Sequence, residues 1–245
     1  MVKYLIYPFI LVLGIGTHLF ILNSQLIPLD YIPMATFFVI LPSIIFLESV
    51  SPHNREWLEN KRDFKKDIFL TLGLLPMITF GIKEVLLFLN THFKLYSIGD
   101  HWSFIGQFMF AFFFSEFLFY WYHRFSHHNK FLRKLHSVHH GAEKVYWANS
   151  GTFHYLDMFF QFLLYFMPIF LFRVSMEVAT LILSLSAITG VLEHSNINYR
   201  TSIINYFFNT AELHHKHHSK NKLEANSNFG KVTVIFDVLF KTYLR

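Results

Sequence analysis

The chain has 245 residues, of which 53% are hydrophobic, 20% aromatic and 15% charged, and its formal net charge is +5 at pH 7. A soluble domain averages roughly 25% charged residues, so this balance is typical of a membrane protein, and the positive charge favours an anionic lipid surface over nucleic acid as a partner. The absence of cysteine excludes disulfides, thiolate metal ligands and a cysteine nucleophile.

Six apolar segments approach the length of about 20 residues that a helix needs to span a bilayer. They are 4–22, 31–47, 68–90, 104–122, 153–172 and 175–192. In the third segment we expect Pro76 to kink the helix and Lys83–Glu84 to interrupt it. The fifth and sixth are separated by two residues and predict a tight hairpin that need not span fully. The predicted fold is an all-α integral-membrane bundle of four to six transmembrane helices.

The distribution of positive charge predicts the topology. Of the 21 Lys and Arg residues, 18 fall at Lys3 or in the stretches 49–67, 123–152 and 193–245. Because cytoplasmic connections are enriched in Lys and Arg, we expect both termini on the cytoplasmic side. Six spans satisfy this asymmetry, and so do four spans with a dipping terminal hairpin.

We expect residues 1–245 to form a single membrane domain with four parts. Residues 1–122 are predicted to be transmembrane helices that end in the first histidine group, and 123–152 a cytoplasmic segment rich in histidine. Residues 153–192 are predicted to be the helical hairpin, and 193–245 a helical cytoplasmic cap that carries the last histidine group.

Half of the 16 histidines fall into three groups whose members are separated mainly by three or four residues, a spacing that places side chains on one face of a helix. The groups are His123 and His127; His136, His139 and His140; and His214, His217 and His218. An unbroken helix would turn by about 900° between His127 and His136, which is half a turn out of phase. We therefore expect a break at Asn129–Lys130, and we expect His128 and His215 to point elsewhere.

Neutral imidazole is a good ligand for iron, zinc, copper or manganese. One ion takes roughly four to six ligands, so eight or more converging histidines indicate two ions. Two histidine-ligated irons can use dioxygen to oxidise an unactivated C–H bond. The isolated histidines are expected to be interfacial hydrogen-bonding residues: His18, His53, His92 and His101.

The motifs HRFSH (123–127), HSVHH (136–140) and HHKHH (214–218) resemble, in order and separation, the three histidine boxes of the fatty acid hydroxylase / sterol desaturase superfamily. EHSN (193–196), NFG (228–230), FDVLFKT (236–242) and ESVSPHNREW (48–57) resemble other elements of that superfamily. The resemblance implies two iron ions, with zinc or another transition metal as alternatives, and oxygen-dependent modification of a lipid substrate. The sequence departs from the family pattern at His215 and Lys216, where the third box usually reads H-R-W-H-H, and at Lys241.

The resemblance also implies the metal ligands. They are His123, His127, His136, His139, His140, His214, His217 and His218, with His194 as a ninth. His154 occupies the place of a family histidine, but its flanking arginine and proline are absent. Glu116 could orient a histidine or pair with Lys83. Asp157 and Asp237 could likewise orient a histidine or form a structural contact. For Asp237 we favour orienting a histidine or holding the cap.

The function predicted from these features is hydroxylation, desaturation or ether cleavage of a fatty acyl, sterol-like or ether lipid. The sequence has no haem, flavin or dinucleotide fingerprint, so a separate electron-transfer protein is expected to supply the electrons. Two alternatives stay open at this point. One is a membrane metal transporter or sensor that uses the histidine clusters, and the other is a zinc hydrolase, although the H-E-x-x-H pattern is absent.

Overall fold

The computed structural model describes residues 2–59, 63–93 and 95–245, so Lys61, Arg62 and Lys94 of the charge pattern lie outside the described residues. The described part is helical and contains no strand, only two isolated β-bridges. The α-helices are α1 (Val2–Ser24), α2 (Ile32–Val50), α3 (Phe64–Ile68), α4 (Leu75–Phe93), α5 (Phe104–His128), α6 (Lys130–His140), α7 (Tyr155–Phe170), α8 (Met176–His194), α9 (Ala211–His217), α10 (Lys222–Ala225) and α11 (Ile235–Leu239).

Five helical segments of the described chain are long and apolar enough to cross a membrane, which confirms the predicted all-α integral-membrane fold. They are Lys3–Ser24, Leu29–Val50, Phe64–Phe93, Phe104–His128 and Met176–Glu193. The third combines α3 and α4 through a π-helix at Phe69–Leu74. The predicted interruption at Lys83–Glu84 is wrong, because α4 continues through both residues. The Lys83 ammonium is neutralised there by Asp30 at 3.0 Å and by Glu84 at 3.1 Å.

Helix α7 has 16 residues, or about 24 Å, and is shorter than the hydrocarbon core of about 30 Å. It nevertheless runs from one end of the bundle to the other. Its first turn contacts His136 through Asp157, and the turn after it accepts hydrogen bonds at Phe172 and Arg173 from the 98–99 segment at the opposite end. The described part of the chain therefore traverses the bundle six times, five times through long helices and once through α7.

The apolar core has two parts that share α8. One lies between α4, α5, α7 and α8, with Ile169 and Ile182 fully buried in it. The other lies between α1, α2, α8 and the 146–148 segment, with Ile10 and Ile188 fully buried. Large apolar side chains on the outer surfaces of α1, α2 and α4 stay exposed, as expected of faces that contact lipid.

Buried polar contacts hold the segments between helices together at one end of the bundle. The Glu48 carboxylate at the end of α2 accepts hydrogen bonds from the backbone N–H of Trp147 (2.8 Å) and of Asn196 (2.9 Å). The backbone N–H of Arg200 donates to the carbonyl of Lys3 at the start of α1 (3.1 Å). The described parts of the positively charged stretches thus gather at one end, together with all three histidine groups. We call the segments that cover this end the cap.

Candidate metal centre

The break predicted between the first two histidine groups is confirmed. Helix α5 ends at His128, and Asn129 adopts an extended conformation with φ −83° and ψ 128°. Its side-chain oxygen accepts hydrogen bonds from the backbone N–H of Phe131 (2.9 Å) and Leu132 (3.1 Å), so it caps the start of α6. The chain reverses at this point, and the rings of His127 and His136 come within 5.0 Å of each other.

The first histidine cluster draws on α5, α6 and α9, and its ligand nitrogens all lie within 4.8 Å of one another. Its members are His123, His127, His136, His140 and His217. The Nε2 atom of His123 lies 3.0 Å from Nε2 of His136 and 3.0 Å from Nε2 of His217. Most of these side chains are buried, so residues 94 positions apart in the chain meet in one small space.

The second histidine cluster has four members, His139, His194, His214 and His218, and meets the same distance criterion. The Nε2 atom of His214 lies 3.0 Å from that of His194 and 3.1 Å from that of His218. The two clusters are neighbours, since the rings of His140 and His218 stack at 4.5 Å. The structure thus brings together all nine histidines predicted as ligands. Their binding of metal stays a prediction.

Hydrogen bonds at Nδ1 determine which ring nitrogen is free to bind an ion. His123 Nδ1 donates to the carbonyl oxygen of Phe229 (2.9 Å), and His217 Nδ1 donates to that of Ser227 (2.7 Å). A carbonyl oxygen can only accept, so both Nδ1 atoms carry the proton and both Nε2 atoms carry a lone pair. The two Nε2 atoms lie 3.0 Å apart in a buried space, an arrangement that a cation bound to both lone pairs stabilises.

The second cluster follows the same rule. His139 Nδ1 donates to the carbonyl oxygen of Thr152 (3.1 Å), and His194 Nδ1 donates to the side-chain oxygen of Asn149 (3.0 Å). Burial, reinforced by neighbouring positive charge, lowers the pKa of His194 to about 3. Burial and the neighbouring imidazoles also lower the pKa of His139 and of His217 well below the ordinary value. These imidazoles are therefore neutral at pH 7 and able to bind a cation.

The geometry fits a metal ion in each cluster. Two nitrogens about 2.1 Å from one ion and roughly at right angles to it are about 3.0 Å apart, and the closest Nε2 pairs are separated by 3.0–3.2 Å. The buried Nε2 of His127 has no hydrogen-bond partner, which is the state of a nitrogen whose partner is an ion. An all-imidazole donor set suits iron, zinc, copper or nickel rather than magnesium or calcium.

Asp157 orients a histidine, which is one of the roles that the sequence left open for it. Its carboxylate accepts a hydrogen bond from His136 Nδ1 (2.8 Å), and it also accepts from the hydroxyl of Tyr122 (2.9 Å) and the amide of Gln161 (3.0 Å). A carboxylate behind a histidine fixes the ring orientation and raises the basicity of the other nitrogen. Asp157 is thus the carboxylate that orients a predicted ligand.

Asp237 and Glu116 hold the loop 229–233 instead of a histidine. Asp237 accepts hydrogen bonds from the backbone N–H of Phe229 (2.7 Å) and Gly230 (2.8 Å), and so positions the Phe229 carbonyl that His123 uses. Glu116 accepts from the backbone N–H of Val232 and of Thr233 at 2.9 Å each, and it does not pair with Lys83.

The remaining histidines lie outside both clusters. His154 is half-buried and caps α7, because its Nδ1 accepts from the backbone N–H of Leu156 (3.2 Å). His128 is exposed on the cap, and His215 packs against the rings of His53 and Trp57. The prediction that His18 is interfacial is wrong: it is fully buried within α1 and hydrogen-bonded to Ser184 (2.9 Å).

Sequence reasoning missed several partners of the histidines. Asn149 supports His194 through its side chain, but nothing in its residue type or spacing marks it. Thr152 and Ser227 act through backbone carbonyls, which no residue pattern encodes. The NFG motif at 228–230 was the one available signal, and it contains the carbonyl of Phe229 that His123 uses.

The fold and the two clusters define a multi-pass membrane protein with buried, neutral histidines that can hold metal ions. The family model described as fatty acid hydroxylase matches residues 108–242, which is more than half of the chain. The chain therefore belongs to the fatty acid hydroxylase family, as its histidine motifs predicted.

Relatives agree with this assignment. The chain is 28% identical to ornithine lipid hydroxylase OlsE of Rhizobium tropici over 99% of its length and 75% of the relative. It is 31% identical to Delta(7)-sterol 5(6)-desaturase erg32 of Schizosaccharomyces pombe over 61% of the chain and 43% of the relative. It is 25% identical to human alkylglycerol monooxygenase over 87% of the chain and 48% of the relative. No solved structure matches significantly. The chain is thus an oxidoreductase of a family whose members act on lipids.

Proposed function

We propose that the chain is a di-iron oxygenase that hydroxylates or desaturates a membrane lipid with dioxygen. The observation that carries this proposal is the pair of neighbouring histidine clusters, in which Nε2 lone pairs of buried neutral imidazoles converge. Iron is favoured over zinc because zinc has no redox chemistry. When bound, the pair of ions supplies the activation of dioxygen needed to oxidise an unactivated C–H bond.

The side chains contribute orientation and a restricted environment. Asp157 holds the imidazole of His136, and the carbonyls of Phe229 and Ser227 hold those of His123 and His217. The cap segments cover the clusters on one side, and the ends of α5 and α8 approach them on the other. A lipid chain that enters from the bilayer side would reach the clusters without passing through water.

The similarity along the whole chain supports hydroxylation of a polar acyl lipid. The relative that matches 99% of the chain is named for hydroxylating ornithine lipid, whereas the sterol desaturase matches 61% of it. Sterol-like and ether lipids stay as alternative substrates, and an ether lipid is favoured by the similarity to alkylglycerol monooxygenase. Electrons would come from a separate redox protein, because the sequence has no motif for a redox cofactor of its own.

We further propose that the cap faces the cytoplasm and that the whole chain forms one membrane domain. The support is the concentration of Lys and Arg in the segments that meet at the cap. Both described termini lie at this end, since Lys3 accepts a backbone hydrogen bond from Arg200 and the C-terminal residues pack on Asn228.

The reaction is tested by lipid mass spectrometry of cells that express the wild type, His139→Ala or His217→Ala under oxygen-18 gas. We expect a lipid that has gained one labelled oxygen, or lost two hydrogens, with the wild type alone. His128→Ala is the matched control and keeps activity, because His128 is exposed beside the ligand His127. Unchanged lipids in the wild-type cells, or products that persist in both cluster variants, would contradict the proposal.

A further inference from the structure

Lys231 lies in the middle of the loop that supports the first cluster, and two carboxylates hold the loop on either side of it. Asp237 accepts the backbone N–H of residues 229 and 230, and Glu116 accepts those of residues 232 and 233, at 2.7–2.9 Å. All four donors immediately flank Lys231. Its backbone is therefore fixed, and the direction of its side chain is set in advance.

The Lys231 ammonium is directed into the bundle and sits among aromatic rings. Its Nζ lies 5.5 Å from the ring centre of Phe119, 5.5 Å from that of Phe162 and 5.7 Å from that of Tyr165. Helix α8 approaches it closely at Gly190, where an added Cβ would lie 3.7 Å from Nζ. Because Gly190 has no side chain, the backbone of α8 comes close to the ammonium on this side of the cage.

The position of this cage relative to the clusters follows from helical spacing. Phe119 precedes the ligand His123 by four residues on α5, and Gly190 precedes the ligand His194 by four residues on α8. Four residues are about one helical turn, or roughly 5–6 Å. The ammonium therefore lies about one turn to the membrane side of both clusters.

The ammonium has no hydrogen-bond acceptor in the described part of the chain. No described carboxylate oxygen lies within 4.0 Å of Nζ, although Glu116 and Glu193 are near enough to act on its charge. The buried Glu193 Oε1 also lacks a hydrogen-bond partner. A confined ammonium whose N–H donors face only aromatic rings is costly, and residue Lys231 is half-buried rather than fully enclosed.

We propose that the Lys231 ammonium binds an acyl oxygen of the lipid substrate, and thereby sets which carbon of the chain reaches the metal clusters. The oxygen belongs to an ester or amide carbonyl or to a free carboxylate, since all of these accept a hydrogen bond from an ammonium. The inference rests on the proposed lipid oxidation. It places the oxidised carbon only a few bonds from the acyl oxygen.

The test compares Lys231→Met, which removes the charge and the donors, with Lys231→Arg, which keeps both. Lys220→Met is the matched control, because Lys220 is exposed on the cap. Equilibrium binding of radiolabelled oleic acid and of methyl oleate is measured with purified, iron-loaded protein, together with its iron content and melting temperature. These readouts need no turnover.

We expect Lys231→Met to weaken probe binding by at least about tenfold, the effect of losing a charge-assisted hydrogen bond, with iron content and melting temperature unchanged. Weaker binding of both probes assigns a carbonyl oxygen, and weaker binding of the acid alone assigns a carboxylate. Lys231→Arg and Lys220→Met bind like the wild type.

Two results would overturn the inference. One is unchanged binding of both probes by Lys231→Met, and the other is loss of iron or a lowered melting temperature in that variant, which would make Lys231 a structural residue. Failure of the proposed function is a different result: it is the absence of any oxidised lipid with the wild type, whatever the probes show.

Discussion

At His123 and His217, one ring nitrogen determines what the other can do. Each Nδ1 atom faces a backbone carbonyl and carries the proton, so each Nε2 atom presents a lone pair to its neighbour 3.0 Å away. Burial keeps the pKa of His217 low, so a proton does not separate these lone pairs at pH 7. The arrangement is unfavourable by itself and favourable around a cation.

Asp157→Asn tests the partner of His136. The amide still accepts a hydrogen bond but removes the negative charge behind the imidazole, so we expect iron affinity to fall about 10–100-fold with the fold intact. Chelator-competition titration of the purified protein measures this change. Asp100→Asn serves as the control, because Asp100 is exposed at the far end of the bundle. Equal affinities in the wild type and Asp157→Asn would contradict the assigned role.

The histidines of the site were predictable from the sequence, whereas most of their hydrogen-bond partners were not. The eight histidines of the three groups were predictable from their spacing, and His194 from the family resemblance of the motif that contains it. The partners of His139 and His217 are carbonyls of Thr152 and Ser227, and a carbonyl is present at every residue. Only the folded backbone decides which carbonyl reaches a ring, so this layer of the site was not predictable.

Among the elements, the break at Asn129 is what allows the first two histidine groups to meet. It was predictable because nine residues of helix put His127 and His136 half a turn out of phase. The π-helix at Phe69–Leu74 was not predictable, because its reason lies in a distant segment. Thr71 within it donates to the carbonyl of Ala148 (2.6 Å) and accepts from the N–H of Gly151 (3.0 Å).

This contact supports the second cluster from behind. The segment that Thr71 holds contains Asn149 and Thr152, the partners of His194 and His139. The approach is so close that a Cβ at Gly151 would lie 2.8 Å from the Cα of Thr71. A side chain at position 151 would therefore push the two segments apart.

Asn129→Ala tests the capping of α6. Loss of the side-chain acceptor costs about 1 kcal/mol of stability, which for a chain of this size lowers the melting temperature by about 2–4 °C. Thermal unfolding in detergent measures the shift. Lys130→Ala, one residue further on, leaves the cap intact and should leave the melting temperature unchanged. A melting temperature of Asn129→Ala equal to that of the wild type would show that the cap contributes nothing.

For the whole molecule, the six traverses explain why both described ends lie at the cap. The sequence left four and six spans open, because only two residues separate the fifth and sixth apolar segments, which predicted a hairpin that need not span fully; α7, within the fifth segment, has 16 residues. Its path became evident only from contacts at both ends, with His136 at the cap and with the 98–99 segment opposite. The charge pattern correctly predicted which connecting segments lie at the same end of the bundle. This prediction requires only that successive spans run in opposite directions.

The lack of cysteine makes the sidedness straightforward to test. Lys220→Cys places one thiol on the cap, and Asp100→Cys places one at the opposite end, both at exposed positions. With a membrane-impermeant maleimide, we expect Asp100→Cys to react in intact cells and Lys220→Cys to react only after the membrane is opened. Reaction of both variants in intact cells, or the reverse order, would contradict the proposed orientation.

The most direct test of the two-ion centre is the metal stoichiometry of the purified protein, measured by elemental mass spectrometry against protein concentration. We predict two iron ions per chain in the wild type and in His128→Ala. Substituting His217 in the first cluster or His214 in the second should lower the count, each by emptying its own cluster. A wild-type protein that holds one ion or none after iron loading, or whose count is unaffected by both substitutions, would contradict the account.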